Sequence, residues 1–275
     1  MLLAFIVPFF LSEVNYKNAL LVDSFSVLND IYYIILLLPW VLLYPKDRWR
    51  GAGIIIIVFL ALWSMKRTAL FALLLALGIY FFSERIRVRK LIEWRILVGI
   101  CFFSVSILLL YSYIDTQTNG FFVSRISSSL DDKGSGRVDI YKEVIKLQGE
   151  STISSWFLGH GHDTASKSTS SLLSAHNDWL EVLFDYGLVG LVLYSCFNLL
   201  LLRKIMQLFK QNSYYGPPMA ASYVLFFLIS LSSHLVIYAS YFAYLMAFWG
   251  SLFAISGREN MFLPKDAQFT CILSK

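Results

Sequence analysis

The chain has 275 residues, of which 57% are hydrophobic and only 15% are charged, and its formal net charge is +5. Soluble domains carry roughly 25% charged residues, so this composition argues against an ordinary water-soluble domain. The three cysteines, Cys101, Cys196 and Cys271, have no spacing that indicates a disulfide framework or a zinc motif.

Long uncharged apolar runs follow one another along the chain. Runs near 20 residues match the thickness of the hydrocarbon layer of a bilayer. Inside lipid the backbone must satisfy its own hydrogen bonds, which favours helices over open strands. The sequence therefore predicts an all-α polytopic membrane protein with about seven or eight transmembrane helices. The runs are Leu2–Leu11, Ile31–Tyr44, Ala52–Met65, Ala69–Phe82, Ile96–Tyr111, Trp179–Leu202, Met219–Leu231 and Leu235–Ile255.

The first run, Leu2–Leu11, is short and has no basic segment or cleavage site of a signal peptide. Two interpretations stay open. It is either a short, tilted or interfacial helix, or the end of a helix that begins before Met1.

The basic residues predict an orientation. Three Lys/Arg clusters follow the second, fourth and sixth runs, at 46–50, 85–90 and 203–210. Because cytoplasmic loops are enriched in Lys and Arg, these alternate connections are expected in the cytoplasm. The predicted organisation is N-terminal helices in 1–111, a periplasmic loop with short helices in 112–178, C-terminal helices in 179–257 and a cytoplasmic tail in 258–275.

Lys66 and Arg67 depart from this charge rule, since they lie in a turn on the predicted outer side. Ionisable residues at membrane depth are functional candidates. The alternative is that both side chains only extend to the outer headgroups.

The loop 112–178 holds most of the polar side chains. Ser135-Gly136-Arg137 opens a predicted amphipathic helix. Its expected apolar face is formed by Val138, Tyr141, Val144, Ile145 and Leu147.

Two further segments of this loop carry motifs. Gly159 and Gly161 flank His160, which indicates a tight turn or a close approach to a ligand, and the Ser/Thr-rich stretch 164–174 is predicted to be a mobile loop. His176-Asn177 then leads into the next helix. Asp178, Glu181 and Asp185 share one face near the start of that helix, where its dipole favours negative charge. Gly187 and Gly190, within the same helix, are expected to permit close helix packing.

Together these motifs resemble the O-antigen ligase and polymerase family of bacterial polysaccharide assembly. The resemblance runs from about Ile54 to about Ile255 and lies in the order and spacing of individually weak motifs. They are Lys66-Arg67-Thr68-Ala69, Ser135-Gly136-Arg137, Leu158-Gly159-His160-Gly161, His176-Asn177-Asp178-Trp179-Leu180-Glu181 and Gly187-Leu188-Val189-Gly190. The chain departs from the family in having fewer spans, and only Arg67 matches plainly at the basic turn.

The resemblance implies glycan transfer from undecaprenyl diphosphate to an acceptor hydroxyl at the periplasmic face of the inner membrane. Arginine binds phosphate oxygens through a planar fork, so Arg67, Arg137 and Arg125 are the diphosphate candidates. Histidine titrates in the range of a general base, so His176 is the catalytic candidate beside Arg137, and Glu181 or Asp178 is expected to hold its ring or replace it. Gly159, Gly161 and Asn177 complete the motif.

Competing interpretations remain for several residues. Arg125 is expected to be a solvated loop charge, Arg137 has acidic neighbours to pair with, and His160 is expected to be a turn residue. His234 lies in another predicted outer turn. In one interpretation it faces the same site as His176, and in the other it does not. No metal and no other cofactor is expected, because His160 to Asp163 has a spacing that suits metal ligation poorly.

The leading functional hypothesis is a polysaccharide polymerase for O-antigen, capsule or exopolysaccharide. The first alternative is a ligase that moves finished glycan to lipid A-core or another acceptor, and the second is a transporter of the lipid-linked sugar. The expected partners are the lipid-linked oligosaccharide, membrane lipids and, from the resemblance alone, a chain-length regulator. No nucleic-acid partner is expected.

Overall fold

A computed structural model describes residues 6–11, 30–64, 66–88, 116, 137–170, 172–236 and 239–262. Within these ranges every regular element is helical, which confirms the all-α class. The predicted span Ile96–Tyr111, the start of the Ser-Gly-Arg motif and Arg125 lie outside the described residues.

The described residues between 30 and 88 form four helices. They are α1 (Ile31–Ile35), α2 (Leu38–Leu42), α3 (Asp47–Trp63) and α4 (Arg67–Val88). The apolar run Ile31–Tyr44 is therefore two short helices and not one. Pro39, near the start of α2, lacks the N–H that a continuous helix needs at this point, and its ring opposes helical continuation.

The described residues from 137 to 262 form six helices. They are α5 (Arg137–Gly149), α6 (Ile153–Leu158), α7 (Ala165–Ser168), α8 (Asp178–Lys210), α9 (Gly216–Ser232) and α10 (Ala239–Phe262). The stretch 164–174, predicted to be a mobile loop, contains α7. Helix α8 is interrupted at Gly187, whose φ of 66° and ψ of −164° are not helical, so the prediction of an unbroken helix is wrong there.

Helix α5 confirms the predicted amphipathic helix but with a different buried face. Ile140, Val144 and Gln148 are buried, whereas Val138 and Ile145 are exposed. The buried residues are four apart and form one stripe, while Val138 and Ile145 lie on the other side of the helix. The sequence prediction of the face was wrong for these two because Val and Ile were assigned by hydrophobicity alone.

The main core gathers around α9, which packs most extensively on α4 and also on α2 and α8. Small buried side chains occur on both partners, at Ala69, Ala72 and Ala76 of α4 and at Ala221 and Ser222 of α9. Small residues let helix backbones approach closely when solvent-driven burial is weak. A second, smaller core cluster joins α5 to the first turns of α8 through Ile140, Val144 and Phe184.

Two helices of the described part, Arg67–Val88 and Asp178–Lys210, are long and apolar enough to cross a membrane. Three shorter apolar segments accompany them, at Ile31–Leu42, Gly216–Ser232 and Ser240–Ile255. This architecture is compatible with a membrane protein. The number of spans, the domain limits and the orientation stay predictions.

Polar connections collect at the two opposite ends of this bundle. At one end, the Tyr214 hydroxyl accepts a hydrogen bond from Arg50 at 3.5 Å, and the Arg87 guanidinium lies 5.6 Å from the centre of the Tyr214 ring. At the other end, Arg137 at the start of α5 donates to the carbonyl of Ser232 at the end of α9. The first set belongs to the connections predicted to be inside, and the second to those predicted to be outside.

Candidate functional site

Three connections that are far apart in the sequence meet at the second end. The Arg137 guanidinium donates to the Ser232 carbonyl, and the His176 ring stacks on the His234 ring with 4.7 Å between centroids and an interplanar angle of 24°. Lys66, in the turn before α4, is close enough to lower the pKa of both histidines. The site therefore combines two cations, Lys66 and Arg137, with a stacked pair of imidazoles.

His176 is held mainly through its backbone. Its φ of +52° lies in the left-handed region, which is uncommon for a residue other than glycine. Its N–H donates to Oε1 of Glu181 at 3.0 Å, and its carbonyl accepts from the Tyr141 hydroxyl at 3.4 Å. Backbone strain of this kind persists only where surrounding contacts enforce it, and it concentrates at functional sites.

Asn177 caps helix α8 and joins it to α9. Its Oδ1 accepts from the backbone N–H groups of Trp179 at 3.0 Å and Leu180 at 3.2 Å, as an N-cap side chain does. Its Nδ2 donates to the Leu231 carbonyl at 3.3 Å. Asn177 thereby fixes the height of His176 relative to the end of α9.

The three carboxylates at the start of α8 are buried, with exposed fractions of 0% for Asp178, 1% for Glu181 and 0% for Asp185. Each accepts backbone N–H groups from a different segment. Asp178 binds those of Leu235 at 2.9 Å and Val236 at 3.3 Å. The sequence had led us to expect that Glu181 or Asp178 holds the His176 imidazole. In the structure both carboxylates instead accept hydrogen bonds from the main chain beside the two histidines. A buried carboxylate requires such donors, and backbone amides supply them here.

The electrostatic environment favours the neutral form of both histidines. Burial, followed by the positive charges of Arg137 and Lys66, lowers the pKa of His176 to about 4. Burial also lowers the pKa of His234 to about 4, with His176, Lys66 and Arg137 acting in the same direction and Asp163 against it. The Nδ1 atom of His234 lies 2.9 Å from the Ser174 hydroxyl, which orients that ring. An unprotonated imidazole beside two cations can accept a proton from a hydroxyl.

The two glycines around His160 make close contacts with the chain itself. Gly159 has φ of +79°, and a Cβ at this position would lie 2.1 Å from the Asp185 carbonyl oxygen. A Cβ on Gly187 would lie 2.4 Å from the Phe157 backbone. The N–H groups of His160 and Gly161 donate to the carbonyls of Phe184 and Asp185, at 3.1 and 2.9 Å. The break at Gly187 leaves helix-end carbonyls that need such donors. This motif therefore docks the loop onto α8.

His160 completes this docking. Its Nδ1 lies 2.9 Å from the Phe184 carbonyl and its Nε2 lies 2.8 Å from the Ser151 hydroxyl, while its ring stacks on Phe184. Both ring nitrogens are thus engaged in the turn. In the described part of the chain, no three His, Cys, Asp or Glu side chains are grouped as a metal site would require.

The predicted site residues fall into two groups. Arg137, His176, Asn177 and Glu181 come together at the end of α9, whereas Gly159 and Gly161 lie in the docking turn beside Asp185. Arg67, the first residue of α4, is half-buried and follows Lys66 directly.

Sequence reasoning ranked Lys66 and His234 too low. It also overlooked Tyr141, which donates to the His176 carbonyl, and Ser174, which orients the His234 ring. The available signal was that Lys66 and His234 both occupy short turns predicted to lie on the same side as the loop.

Comparison of the sequence with known proteins identifies the family of the chain. A family model described as O-antigen ligase matches residues 52–195, just over half of the chain. The matched range runs from α3 into the second part of α8 and contains Lys66, Arg137 and His176. No curated protein and no solved structure matches the chain.

Proposed function

Because the chain belongs to the O-antigen ligase family, we propose that it is a membrane glycosyltransferase that acts as a polysaccharide polymerase. It transfers a glycan from undecaprenyl diphosphate to an acceptor sugar hydroxyl at the periplasmic face of the inner membrane, without a cofactor. The observation that carries this proposal is the meeting of Arg137, His176, Lys66 and His234 from three separate connections.

The reaction assigns a part to each of these groups. The acceptor hydroxyl oxygen forms a bond to the anomeric carbon of the donor while the bond from that carbon to the diphosphate oxygen breaks. His176 takes the hydroxyl proton, and the electron pair of the broken bond leaves with the diphosphate. Arg137 and Lys66 stabilise the negative charge that develops there, with Arg67 adjacent and Arg125 as a further candidate.

The low pKa of His176 has a consequence for this mechanism. A general base is most effective when its pKa lies near the working pH. A bound diphosphate offsets the positive charges of Arg137 and Lys66, which are among the causes of the low value. Binding of the donor therefore raises the pKa of His176 toward the range in which it accepts a proton readily.

Surface glycan from a strain without the gene distinguishes the two reactions of the family. Loss of a polymerase leaves acceptors capped with single repeat units. Loss of a ligase leaves uncapped acceptors and accumulates lipid-linked polymer, and that result would replace our proposal with the ligase. A chain-length regulator is a proposed partner only of the polymerase.

The site assignment is tested with purified protein and lipid-linked repeat units. We expect Arg137→Ala and His176→Ala to lower turnover by about 100-fold or more, the usual scale for a charge-stabilising or proton-transfer group. The matched controls are Arg48→Ala, an exposed arginine at the opposite end, and His162→Ala, an exposed histidine of the same loop. Full polymer output from both site variants would refute the assignment, and absence of any turnover by the unmodified protein would favour a transporter.

A further inference from the structure

Helix α6 presents large apolar side chains to the outside. The exposed fractions are 79% for Ile153, 53% for Phe157 and 71% for Leu158. The six-residue sequence of the helix, Ile-Ser-Ser-Trp-Phe-Leu, contains no charge. These three side chains are called the interfacial foot below.

The exposure is built into the fold, because the helix is fixed at both ends. Thr152 caps its start by accepting the backbone N–H of Ser155. At its end, the backbone of Phe157 lies against Gly187, and the N–H groups of His160 and Gly161 donate to carbonyls of α8. Trp156 faces inward, where it lines a small apolar cavity with Val144, Leu180, Leu183 and Phe184. Packing of Trp156 therefore turns the interfacial foot outward.

The contact with Gly187 of α8 sets the position of the interfacial foot along the membrane normal. Helix α8 resumes after Gly187, and residues 188–202, which end before the basic cluster 203–210, are about 22 Å long at a rise of about 1.5 Å per residue. The hydrocarbon layer is roughly 30 Å thick. If the basic cluster marks the cytoplasmic boundary, Gly187, and with it the interfacial foot, lies within the outer leaflet.

The apolar surface continues directly onto α8. Val189, Val192 and Leu193 are exposed on the first two turns after Gly187, with exposed fractions of 48%, 59% and 65%. Tyr186 is also exposed, and its hydroxyl bonds to His162 on the water side. Tyrosine at this level is typical of the aromatic belt of membrane proteins. The exposed lysines of α5, Lys142 and Lys146, pair with Asp139 and Glu150.

From this continuity we propose that the interfacial foot inserts into the outer leaflet, so that α6 anchors the periplasmic loop to lipid. The occupant of this surface is the acyl region just below the headgroups. The proposal rests on the chain being a membrane protein and not on which glycan reaction it performs. Insertion holds the start of α8, and His176 next to it, at the membrane level of a lipid-borne substrate.

Fluorescence in lipid vesicles tests the proposal directly. Full-length protein with Cys101, Cys196 and Cys271 changed to Ser receives a single cysteine by Ile153→Cys or Leu158→Cys and is labelled with an environment-sensitive probe. In phosphatidylethanolamine–phosphatidylglycerol vesicles we expect a blue-shifted emission and strong quenching by lipids brominated near the headgroup. Lys142→Cys, at a side chain that is 75% exposed on α5, is the matched control and should show water-like emission without quenching.

Water-like emission at both α6 positions would overturn the proposal and would point to a protein partner for the interfacial foot. A second variant guards against misfolding. Phe157→Glu in the Ile153→Cys protein should abolish quenching while the protein still elutes as a single species in size-exclusion chromatography. If quenching persists in this variant, the interfacial foot does not insert by its own apolar side chains and the proposal fails.

Discussion

At the scale of residues, the stacked rings of His176 and His234 are the feature that couples the site to pH. They lie 4.7 Å apart, and Arg137 and Lys66 act on both. A proton on either ring would add a third positive charge to a partly buried cluster. The arrangement therefore favours the neutral form of both rings, and in the proposed mechanism a bound diphosphate removes this bias.

We predict that His176 and His234 titrate near pH 4 in the protein without substrate. An unfolded histidine titrates at about 6.5, so between these values the unfolded chain binds more protons than the folded one. The free energy of unfolding should consequently fall as the pH falls from about 6.5 to about 4. The chain has only four histidines, so ¹⁵N-histidine NMR with single substitutions assigns and titrates each ring.

A charge variant separates the causes of this shift. Lys66→Met should raise the pKa of both rings, because the ammonium of Lys66 lowers them in the unmodified protein. Lys142→Met, at an exposed site of α5, should move neither. Titration of both rings near 6.5 in the unmodified protein would contradict the packed geometry of the pair.

Gly159 provides a second prediction at this scale. Gly159→Ala should lower the free energy of unfolding by at least about 2 kcal/mol, because φ is +79° and the new Cβ would overlap the Asp185 carbonyl. Gly78→Ala is the control, since it lies within α4 with open space around it and should stabilise the helix by up to about 1 kcal/mol. Thermal unfolding in detergent measures both. Equal melting temperatures for the two variants would be inconsistent with the docking turn.

At the scale of elements, local chemistry predicted the helices better than their breaks. The apolar runs located α3, α4, α9 and α10, and Arg137 was correctly placed at the start of α5. The interruption of α8 at Gly187 depends on a tertiary contact with Phe157, which no window of sequence contains. The buried carboxylates also depend on tertiary contacts, because the backbone amides that donate to them lie up to 58 residues away in the sequence.

Asp185 illustrates this dependence and gives a prediction. Its carboxylate accepts hydrogen bonds from the backbone N–H groups of Asp163 at 2.8 Å, Thr164 at 3.1 Å and Ala165 at 2.9 Å. These three bonds order the start of α7. Asp185→Asn replaces one acceptor oxygen by a donor and should cost about 3 kcal/mol of stability, the scale of a buried bond to a charged group. Hydrogen exchange should show lost protection at these three amides.

The matched control is Asp139→Asn on α5, whose carboxylate is 76% exposed and pairs with Lys142 at 3.8 Å. An exposed pair of this kind contributes about 0–1 kcal/mol. Exchange at residues 163–165 should be unchanged in this variant. Protection that survives Asp185→Asn would mean that α7 is held by its own turn and not by α8.

At the scale of the whole molecule, the charge pattern and the contacts agree. The connections predicted to be cytoplasmic meet around Tyr214, where Arg50 and Arg87 both reach its side chain. The connections predicted to be periplasmic meet around Arg137 and His234. The sequence could predict this division because the positive-inside bias acts on each connection separately. The pairing of particular residues across the site required the packing of α9 between α4 and α8.

The orientation of the molecule follows as the final prediction. In a protein whose three native cysteines are changed to Ser, Lys142→Cys and Lys167→Cys should react with a membrane-impermeant maleimide on intact spheroplasts. Lys46→Cys and Lys210→Cys, at the opposite end, should react only after permeabilisation. All four side chains are exposed, so accessibility to water does not differ between the pairs. Labelling of the second pair in intact cells would invert the orientation and place Arg137 and His176 in the cytoplasm, out of reach of a donor in the outer leaflet.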